Sequence, residues 1–307
     1  MTMSNRLQRV ALIGFGEAGG IIGQDLAAKG VSVRVYDRLL DDPLRRDAMK
    51  AKAMAAQVEA YESAAAAVQN VQLVISAVTA GSALSVATEL ADVLKPGQLF
   101  MDINSLAPAT KQAARAALKH GGAHYVDAAV MAPVPPQRLQ TPILLGGEEA
   151  AVLAAWLQPL GFNVRVVADR IGVASAIKMC RSIMIKGLEA LTTECLATAR
   201  KYDAEEMVLA SLHKSFPEMG WNDAQPHYLI SRVAEHGRRR AEEMEEVAKT
   251  AADVGITPHM SQAIVATQRG LVDSMLERGI GYEEPFSWQP LMDALYPYAD
   301  TKQVPHK

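Results

Sequence analysis

The chain has 307 residues, which is too long for one ordinary hydrophobic core, so two domains are expected. Half of the residues are apolar and 21% are charged, a composition typical of a folded globular protein rather than a disordered one. The net charge of −3 argues against nucleic acid and against an anionic membrane surface, so a small molecule is the expected partner.

The cysteines and the short apolar runs predict a cytoplasmic location. Cys180 and Cys195, if they lie on one helix, are separated by roughly 22 Å along its axis. A disulfide needs Cα atoms within about 7 Å, so these two cysteines cannot pair there, and reduced thiols are typical of a cytosolic protein. We expect no secretory signal, because the first apolar run is only about five residues long before glycines and Glu17 intervene. We expect no membrane span, because no run approaches the ~20 apolar residues that a span needs.

Seven apolar runs of strand length alternate with helical patterns up to about residue 167. Between the early runs lie helical stretches such as "AGGIIGQDLAAKG" and "SALSVATELADVLKPG", the second of which is closed by a Pro-Gly stop. The alanine-rich segment 48–67 is expected to form a covering helix. This alternation predicts right-handed crossovers and a doubly wound, mostly parallel sheet. The predicted strands cover residues 9–13, 31–36, 71–78, 98–103, 123–128, 142–146 and 163–167.

After the last predicted strand the pattern changes to helices alone. A long helical pattern from residue 171 to about 202 predicts a connecting helix that starts near Gly172. We expect an α/β domain over 1–168 and an all-helical domain over 169–307, whose last ten residues form a loose tail. Further helices are predicted over 204–214, 225–254, 258–278 and 289–297.

Gly14, Gly16 and Gly19 form a G-x-G-x-x-G turn between the first predicted strand and a helix. The first glycine permits a tight turn, the second lets a pyrophosphate approach the backbone, and the third lets the helix pack against the strand. The N–H groups at the helix start would face the phosphates. This context predicts a Rossmann dinucleotide-binding domain, whose site is also lined by Phe15, Glu17, Ala18, Ala77 and Val78.

Asp37, at the end of the second predicted strand, indicates which dinucleotide is bound. It follows Gly19 by eighteen residues, close to the ~20 expected for the acid that binds the adenosine ribose. A carboxylate favours NAD because it repels a 2′-phosphate, whereas the neighbouring Arg38 can partly reverse that preference, so NADP is not excluded. The alternative is a surface turn with an ordinary loop aspartate. The Glu17 carboxylate must point away from the phosphates if the turn binds a dinucleotide.

Three further segments resemble the β-hydroxyacid dehydrogenase family, the relatives of 6-phosphogluconate and 3-hydroxyisobutyrate dehydrogenases. "MDINSLAP" (101–108) is similar to the D-x-S-T-x-x-P loop, and the resemblance implies that Asn104 and Ser105 lie near the nicotinamide. "VDAAVMAPVPP" (126–136) occupies the place of D-x-P-V-S-G-G, and "GVASAIKMCRS" (172–182) resembles the helix that carries the catalytic lysine. The C-terminal segments resemble a divergent branch of the family.

Lys178 occupies the position of that lysine. Oxidation of an alcohol by a nicotinamide requires a group that takes the hydroxyl proton, and the resemblance gives this role to Lys178. The alternative is a helix lysine whose ammonium reaches into water. One helical turn further on, where the family has an asparagine that holds the substrate, this sequence has Ser182, whose hydroxyl has a shorter reach.

The segment that corresponds to the family's Ser-Gly-Gly carboxylate cradle contains Met131, Ala132 and Pro133. None of these side chains donates a hydrogen bond, and proline also lacks an N–H. A substrate that is bulkier or less polar than a three-carbon hydroxy acid is therefore expected. Other residues that could contact an anion, each with the alternative of a solvated helix position, are Arg181, His236 and Arg239.

We interpret the chain as an NAD(P)-dependent oxidoreductase acting on a β-hydroxy acid or a related alcohol/carbonyl pair, with NAD favoured. One alternative is C=N reduction as in imine reductases, against which the presence of Lys178 counts. Another is a nicotinamide-binding sensor without turnover, which the altered substrate loop favours. We expect no metal, since no metal-ligand spacing occurs, and a homodimer or larger homo-oligomer formed by the helical domain.

Overall fold

The computed structural model describes residues 6–297, which divide into two compact units between Met179 and Cys180. The division between the units falls inside a long helix, and the predicted domain boundary between residues 168 and 169 stays a prediction. The tail expected over 298–307 lies outside the described residues.

The first unit contains one eight-stranded sheet in the order β3-β2-β1-β4-β5-β6-β7-β8. Neighbouring strands are parallel except for β6 and β7, which are antiparallel. All seven predicted strands are present, whereas the two-residue β3 was not predicted. The strands are β1 (Arg9–Ile13), β2 (Ser32–Tyr36), β3 (Glu59–Ala60), β4 (Leu73–Ser76), β5 (Leu99–Asp102), β6 (His124–Val130), β7 (Ile143–Gly146) and β8 (Val164–Ala168).

Both faces of the sheet are covered, because successive strand residues point to opposite sides. In β1, Val10 and Leu12 pack in one core with Leu26, while Ala11 and Ile13 pack in a second core on the other face. The predicted doubly wound α/β fold is therefore confirmed. The helices of this part are α1 (Glu17–Ala28), α2 (Arg46–Ala55), α3 (Ala64–Ala67), α4 (Ala80–Leu90), α5 (Pro108–Leu118), α6 (Val134–Gln137) and α7 (Ala150–Leu157).

The prediction of one helix over 48–67 is wrong. Helix α2 ends at Ala55, and Gln57 adopts a left-handed backbone conformation with φ of 57°. The chain then adds β3 to the sheet edge beside β2 before α3 begins. Alanine propensity favours a helix throughout this segment, but pairing with β2 overrides that preference.

Strand β1 lies between β2 and β4, so the chain leaves it first to one side of the sheet and later to the other. In open α/β sheets a ligand binds at such a switch point, outside the carboxyl ends of the strands. The loops that follow β1, β4, β5 and β6 all begin at this edge of the sheet.

The rest of the described chain is helical. Helix α8 covers 29 residues and begins one residue after Gly172, as predicted. The second unit has its own core, to which Leu196, Val233, Leu271 and Trp288 contribute, and no described helix is long and apolar enough to cross a membrane. The helices are α8 (Val173–Lys201), α9 (Glu205–Ser215), α10 (Gln225–Ala252), α11 (His259–Glu277) and α12 (Trp288–Leu295).

Candidate active site

The glycine turn connects β1 to α1 and lies against the loop that follows β4. Gly14 has φ of 94°, and a Cβ atom placed on it would lie 2.3 Å from the carbonyl oxygen of Ala77. The N–H of Ala77 in turn donates to the oxygen of Ile13 at 2.8 Å. Only glycine fits the first position of this turn, because any side chain would meet the backbone of the neighbouring loop.

The other two glycines of the motif differ in their surroundings. A Cβ on Gly19 would lie 2.2 Å from the oxygen of Gly14, so this glycine allows the helix to pack on the turn. A Cβ on Gly16 would have no neighbour within 4 Å, which leaves open space above the backbone at the start of α1. A pyrophosphate fits such a place, since it needs backbone N–H groups that no side chain covers. Glu17 is the first residue of α1 and is exposed.

Asp37 is held directly beside this turn. Its Oδ2 accepts a hydrogen bond from the N–H of Phe15 at 2.7 Å, and its Oδ1 accepts one from the N–H of Leu39 at 3.0 Å. Arg38 is exposed. The Nζ of Lys52, which the sequence reasoning missed, donates to the oxygens of Phe15 and Gly16, both at 2.7 Å. A carboxylate and an ammonium therefore fix the two sides of the turn.

Asn104 and Ser105 follow β5, next to the end of β4. The Nδ2 of Asn104 donates to Asp102 Oδ1 at 2.7 Å and to Ser76 Oγ at 2.9 Å. The Oδ1 of Asn104 and the Oγ of Ser105 are buried and have no hydrogen-bond partner within residues 6–297. Buried polar atoms in native proteins are nearly always paired, so two unpaired oxygens on one loop indicate a place that a ligand completes.

A group of fully buried ionisable side chains lies beneath this loop. Lys111 Nζ is 3.1 Å from Asp102 Oδ1 and 3.6 Å from Asp127 Oδ1, and all three residues have 0% exposure. The hydroxyl of Tyr125 donates to Asp102 Oδ2 at 2.6 Å. Burial, together with the charge of Asp102, raises the pKa of Tyr125 well above its usual value, so the phenol stays a donor.

Asp127 connects this buried group to the start of α8. Its Oδ2 accepts hydrogen bonds from the N–H of Gly172 at 3.1 Å and from the N–H and hydroxyl of Ser175, both at 3.0 Å. A carboxylate in this position pairs N–H groups that the first helical turn leaves unsatisfied. Lys178 lies three residues beyond Ser175 and is partly buried. The helix that carries the predicted catalytic lysine is thus anchored to β6.

The loop after β6 contains the segment that replaces the family's carboxylate cradle. Met131 and Ala132 are partly exposed, and Pro133 is exposed. The N–H of Met131 donates to the oxygen of Pro142 at 2.9 Å, so it is already used within the protein. Met131 and Pro133 therefore offer no N–H to a ligand, because that of Met131 is already bonded and proline has none.

The remaining predicted site residues belong to the second unit. Ser182 lies one turn beyond Lys178 on the same face of α8, and its Oγ is 3.3 Å from Lys186 Nζ. Arg181 is exposed, and Arg239 Nη1 is 3.8 Å from Glu243. Burial and the nearby Arg232 lower the pKa of His236, which favours its neutral form.

The sequence reasoning did not identify the buried group beneath Asn104. Asp102 is the last residue of β5, and Asp127 is the middle residue of β6. A charged residue within an apolar strand is unusual unless it is paired. The two aspartates could therefore have been recognised from the sequence as candidates for a buried, paired site. Lys111 carries no such sequence signal, since a lysine three residues after the start of a helix is ordinarily solvated.

Comparison with known families supports a dinucleotide-binding first unit. The model of the NAD-binding domain of 6-phosphogluconate dehydrogenase matches residues 9–166, which are 158 of the 307 residues and therefore half of the chain. A second model, described only as a domain of unknown function (DUF1932), matches residues 199–271 in the helical unit.

Solved structures similar to this chain extend over nearly its whole length. A conserved hypothetical protein of Sinorhizobium meliloti is 34% identical, with coverage of 94% of this chain and 96% of that one and a TM-score of 0.76. A conserved protein of unknown function, whose structure is described as similar to 3-hydroxyacid dehydrogenases, is 31% identical (coverage 88% and 98%, TM-score 0.70).

Mycobacterium tuberculosis 3-hydroxyisobutyrate dehydrogenase shares the fold at 17% identity, with coverage of 94% and 99% and a TM-score of 0.72. The matched domain model, the relatives above 30% identity and the glycine turn at the β1–β4 switch point lead to one assignment. The chain belongs to the β-hydroxyacid dehydrogenase family and has an N-terminal NAD-binding domain of the 6-phosphogluconate dehydrogenase type.

Proposed function

We propose that the protein is a nicotinamide-dependent dehydrogenase or reductase that interconverts an alcohol and a carbonyl compound. The observation that carries this proposal is that one compact unit holds the glycine turn, the unpaired oxygens of Asn104 and Ser105, and the anchored helix start before Lys178. These are the parts that dinucleotide binding, substrate orientation and proton transfer each require.

Lys178 is the proposed general acid and base. A bound nicotinamide dinucleotide would accept a hydride from the alcohol carbon or donate one to the carbonyl carbon. Lys178, with its amine unprotonated, takes the hydroxyl proton during oxidation, and its ammonium returns that proton to the carbonyl oxygen during reduction. Ser182, one turn further along α8, is proposed to orient the substrate oxygen. The bonds from Gly172 and Ser175 to Asp127 support this role, since they keep the helix start in place.

NAD is the proposed cofactor. Phe15 and Leu39 both donate backbone hydrogen bonds to the Asp37 carboxylate, which supports a fixed negative charge where a 2′-phosphate would have to bind. That charge disfavours NADP. The ribose hydroxyls of NAD could donate to the lone pairs that these two backbone bonds leave available.

The proposed substrate is a β-hydroxy acid or a related alcohol that is bulkier or less polar than a three-carbon hydroxy acid. The use of the Met131 N–H by Pro142 supports this proposal, because it removes one donor from the segment that would otherwise hold a carboxylate. Contacts to an anionic group from Arg181, His236 or Arg239 remain part of the proposal.

We also propose a cytoplasmic homo-oligomer. Ile177, Met184 and Leu191 are exposed apolar residues seven positions apart along α8, which supports burial of this stripe against a second copy. Cys180 and Cys195 are exposed and unpaired, which supports a reducing compartment. Light scattering coupled to size-exclusion chromatography measures the mass, and a monomeric mass at micromolar concentration contradicts the oligomer.

The test of the reaction combines binding and turnover. NADH and NADPH are titrated by fluorescence into the wild type, Lys178→Met and Lys50→Met, which replaces an exposed lysine on a helix. Hydroxy acids, other alcohols, carbonyl compounds and imines are then screened for turnover. We expect tighter binding of NADH than of NADPH in all three proteins, and a loss of alcohol turnover of about 10²- to 10⁴-fold in Lys178→Met alone.

Each alternative gives a different result in this experiment. Equal turnover of alcohols by Lys178→Met and the wild type removes the lysine from the mechanism. Turnover confined to imines identifies a C=N reductase, and tight NADH binding without turnover across the panel identifies a sensor. Absence of dinucleotide binding to the wild type refutes the proposed function altogether.

A further inference from the structure

Lys52 on α2 is bound to the glycine turn at two consecutive peptide groups. Its Nζ donates to the carbonyl oxygens of Phe15 and Gly16, both at 2.7 Å. The end of the lysine side chain lies over Gly20 of α1, where a Cβ atom would be 3.1 Å from Cε and 3.2 Å from Nζ. The glycine at this position therefore leaves room for the ammonium beside the turn.

These two bonds determine where the backbone amides of the turn point. The peptide bonds that follow Phe15 and Gly16 are both trans, so the N–H of each peptide group points away from its carbonyl oxygen. Since Lys52 holds the two carbonyl oxygens on its own side, the N–H groups of Gly16 and Glu17 face the opposite side. They lie at the start of α1, where the helix itself offers them no acceptor.

The backbone at Gly16 is open to an anionic ligand. A Cβ atom on Gly16 would have no neighbour within 4 Å, whereas the adjoining N–H of Phe15 is already bonded to Asp37 Oδ2 at 2.7 Å. The Lys52 ammonium strengthens the remaining donors, because a hydrogen bond to a carbonyl oxygen polarises the whole peptide group. Its charge lies on the carbonyl side of both peptide groups, so it attracts an anion without occupying the place of that anion.

We propose that Lys52 is a positioning residue for the pyrophosphate of the dinucleotide. By binding the carbonyl oxygens of Phe15 and Gly16, it aims the N–H groups of Gly16 and Glu17 at the phosphate oxygens. This inference rests on the proposed function. Because the pyrophosphate is common to NAD and NADP, Lys52 sets the affinity for any ligand that contains this group and does not select between the two dinucleotides.

Ligands with and without the pyrophosphate test this role. NADH, NADPH and ADP-ribose, which contains the pyrophosphate but no nicotinamide, are titrated by calorimetry into the wild type and Lys52→Met. Binding of adenosine, which has no phosphate, is measured by ligand-observed NMR. The matched control is Lys50→Met, which replaces an exposed lysine two residues away on the same helix. The unfolding midpoints of all three proteins are measured in parallel.

We expect Lys52→Met to bind NADH, NADPH and ADP-ribose about tenfold more weakly than the wild type, because two charge-assisted hydrogen bonds that orient the turn are lost. The factor should be the same for the three ligands. The affinity for adenosine, and every affinity of Lys50→Met, should be unchanged. Unchanged adenosine binding separates the positioning of amides from a general loss of structure, which would weaken the binding of every ligand.

Three results would overturn the inference and leave the proposed function intact. The first is equal affinity of Lys52→Met and the wild type for ADP-ribose. The second is a larger loss for NADPH than for NADH, which assigns Lys52 to the 2′-phosphate instead, and the third is an equal loss for adenosine, which identifies a purely structural role. If Lys52→Met does not fold, Lys52→Gln, which is neutral but polar, gives the same test. No binding of NADH to the wild type refutes the proposed function and this inference with it.

Discussion

Replacement of Lys111 by methionine tests how the buried group supports the candidate site. The substitution keeps most of the side-chain volume and removes one ammonium. That ammonium contacts three oxygens, the Asp102 backbone oxygen at 2.6 Å and carboxylate oxygens of Asp102 and Asp127 at 3.1 and 3.6 Å. The two carboxylate side chains are 1% and 0% exposed, so water cannot replace the lysine.

The expected loss is large because the variant leaves two carboxylates buried without their cation. Breaking a buried pair by removing one partner costs about 3–5 kcal/mol, whereas replacing an exposed lysine changes stability by less than about 0.5 kcal/mol. With a urea dependence of about 1–3 kcal/mol per molar, the unfolding midpoint of Lys111→Met should fall by at least about 1 M.

The assay must report on the first unit alone, since the chain has two compact units. Hydrogen exchange of peptides from residues 9–179, measured as a function of urea, gives the free energy of unfolding of this unit. Lys50→Met is the control. In Lys111→Met combined with Asp127→Asn part of the loss should be recovered, because one of the unpaired charges is gone. A free energy of unfolding within 1 kcal/mol of the wild type for Lys111→Met refutes the reasoning.

Three more outcomes are expected. Gly19→Ala should unfold the glycine turn, because its Cβ would lie 2.2 Å from a backbone oxygen, while Gly16→Ala should mainly weaken NADH binding. Equal effects of the two substitutions on the NADH affinity, measured by calorimetry, and on the melting temperature contradict these different roles of the two glycines. Ser175→Ala should lower the free energy of unfolding by about 1 kcal/mol and raise amide exchange at the start of α8; unchanged exchange there means that the hydroxyl contributes nothing. Burial raises the pKa of Glu189 above 4.5 despite the opposing charge of Arg240. A carboxyl whose pKa is raised in the folded state gives stability that is present at acid pH and lost as the pH rises through the folded-state pKa. The wild type should therefore lose stability relative to Glu189→Gln between acid and neutral pH. Parallel urea titrations across that range measure the difference, and a constant difference counts against the shift.

The sequence by itself determined the elements and the position of the glycine turn. The strand-length apolar runs, the helical segments after residue 171 and the G-x-G-x-x-G motif depend on local periodicity and on glycine chemistry, which neighbouring residues in the chain express directly. The same local reasoning failed over 48–67, because the preference of alanine for helix competes with strand pairing that only the folded sheet offers.

Tertiary structure alone decided how the side chains of the candidate site are paired. The register that places Ser76, Asp102 and Asp127 side by side on β4, β5 and β6, and the burial that gives Lys111 its two carboxylates, arise from contacts between distant parts of the chain. Hydrogen bonding and desolvation depend on distances of a few ångström between such groups. A sequence gives the identity of a lysine or an asparagine, but only the fold determines which atom of it faces a ligand.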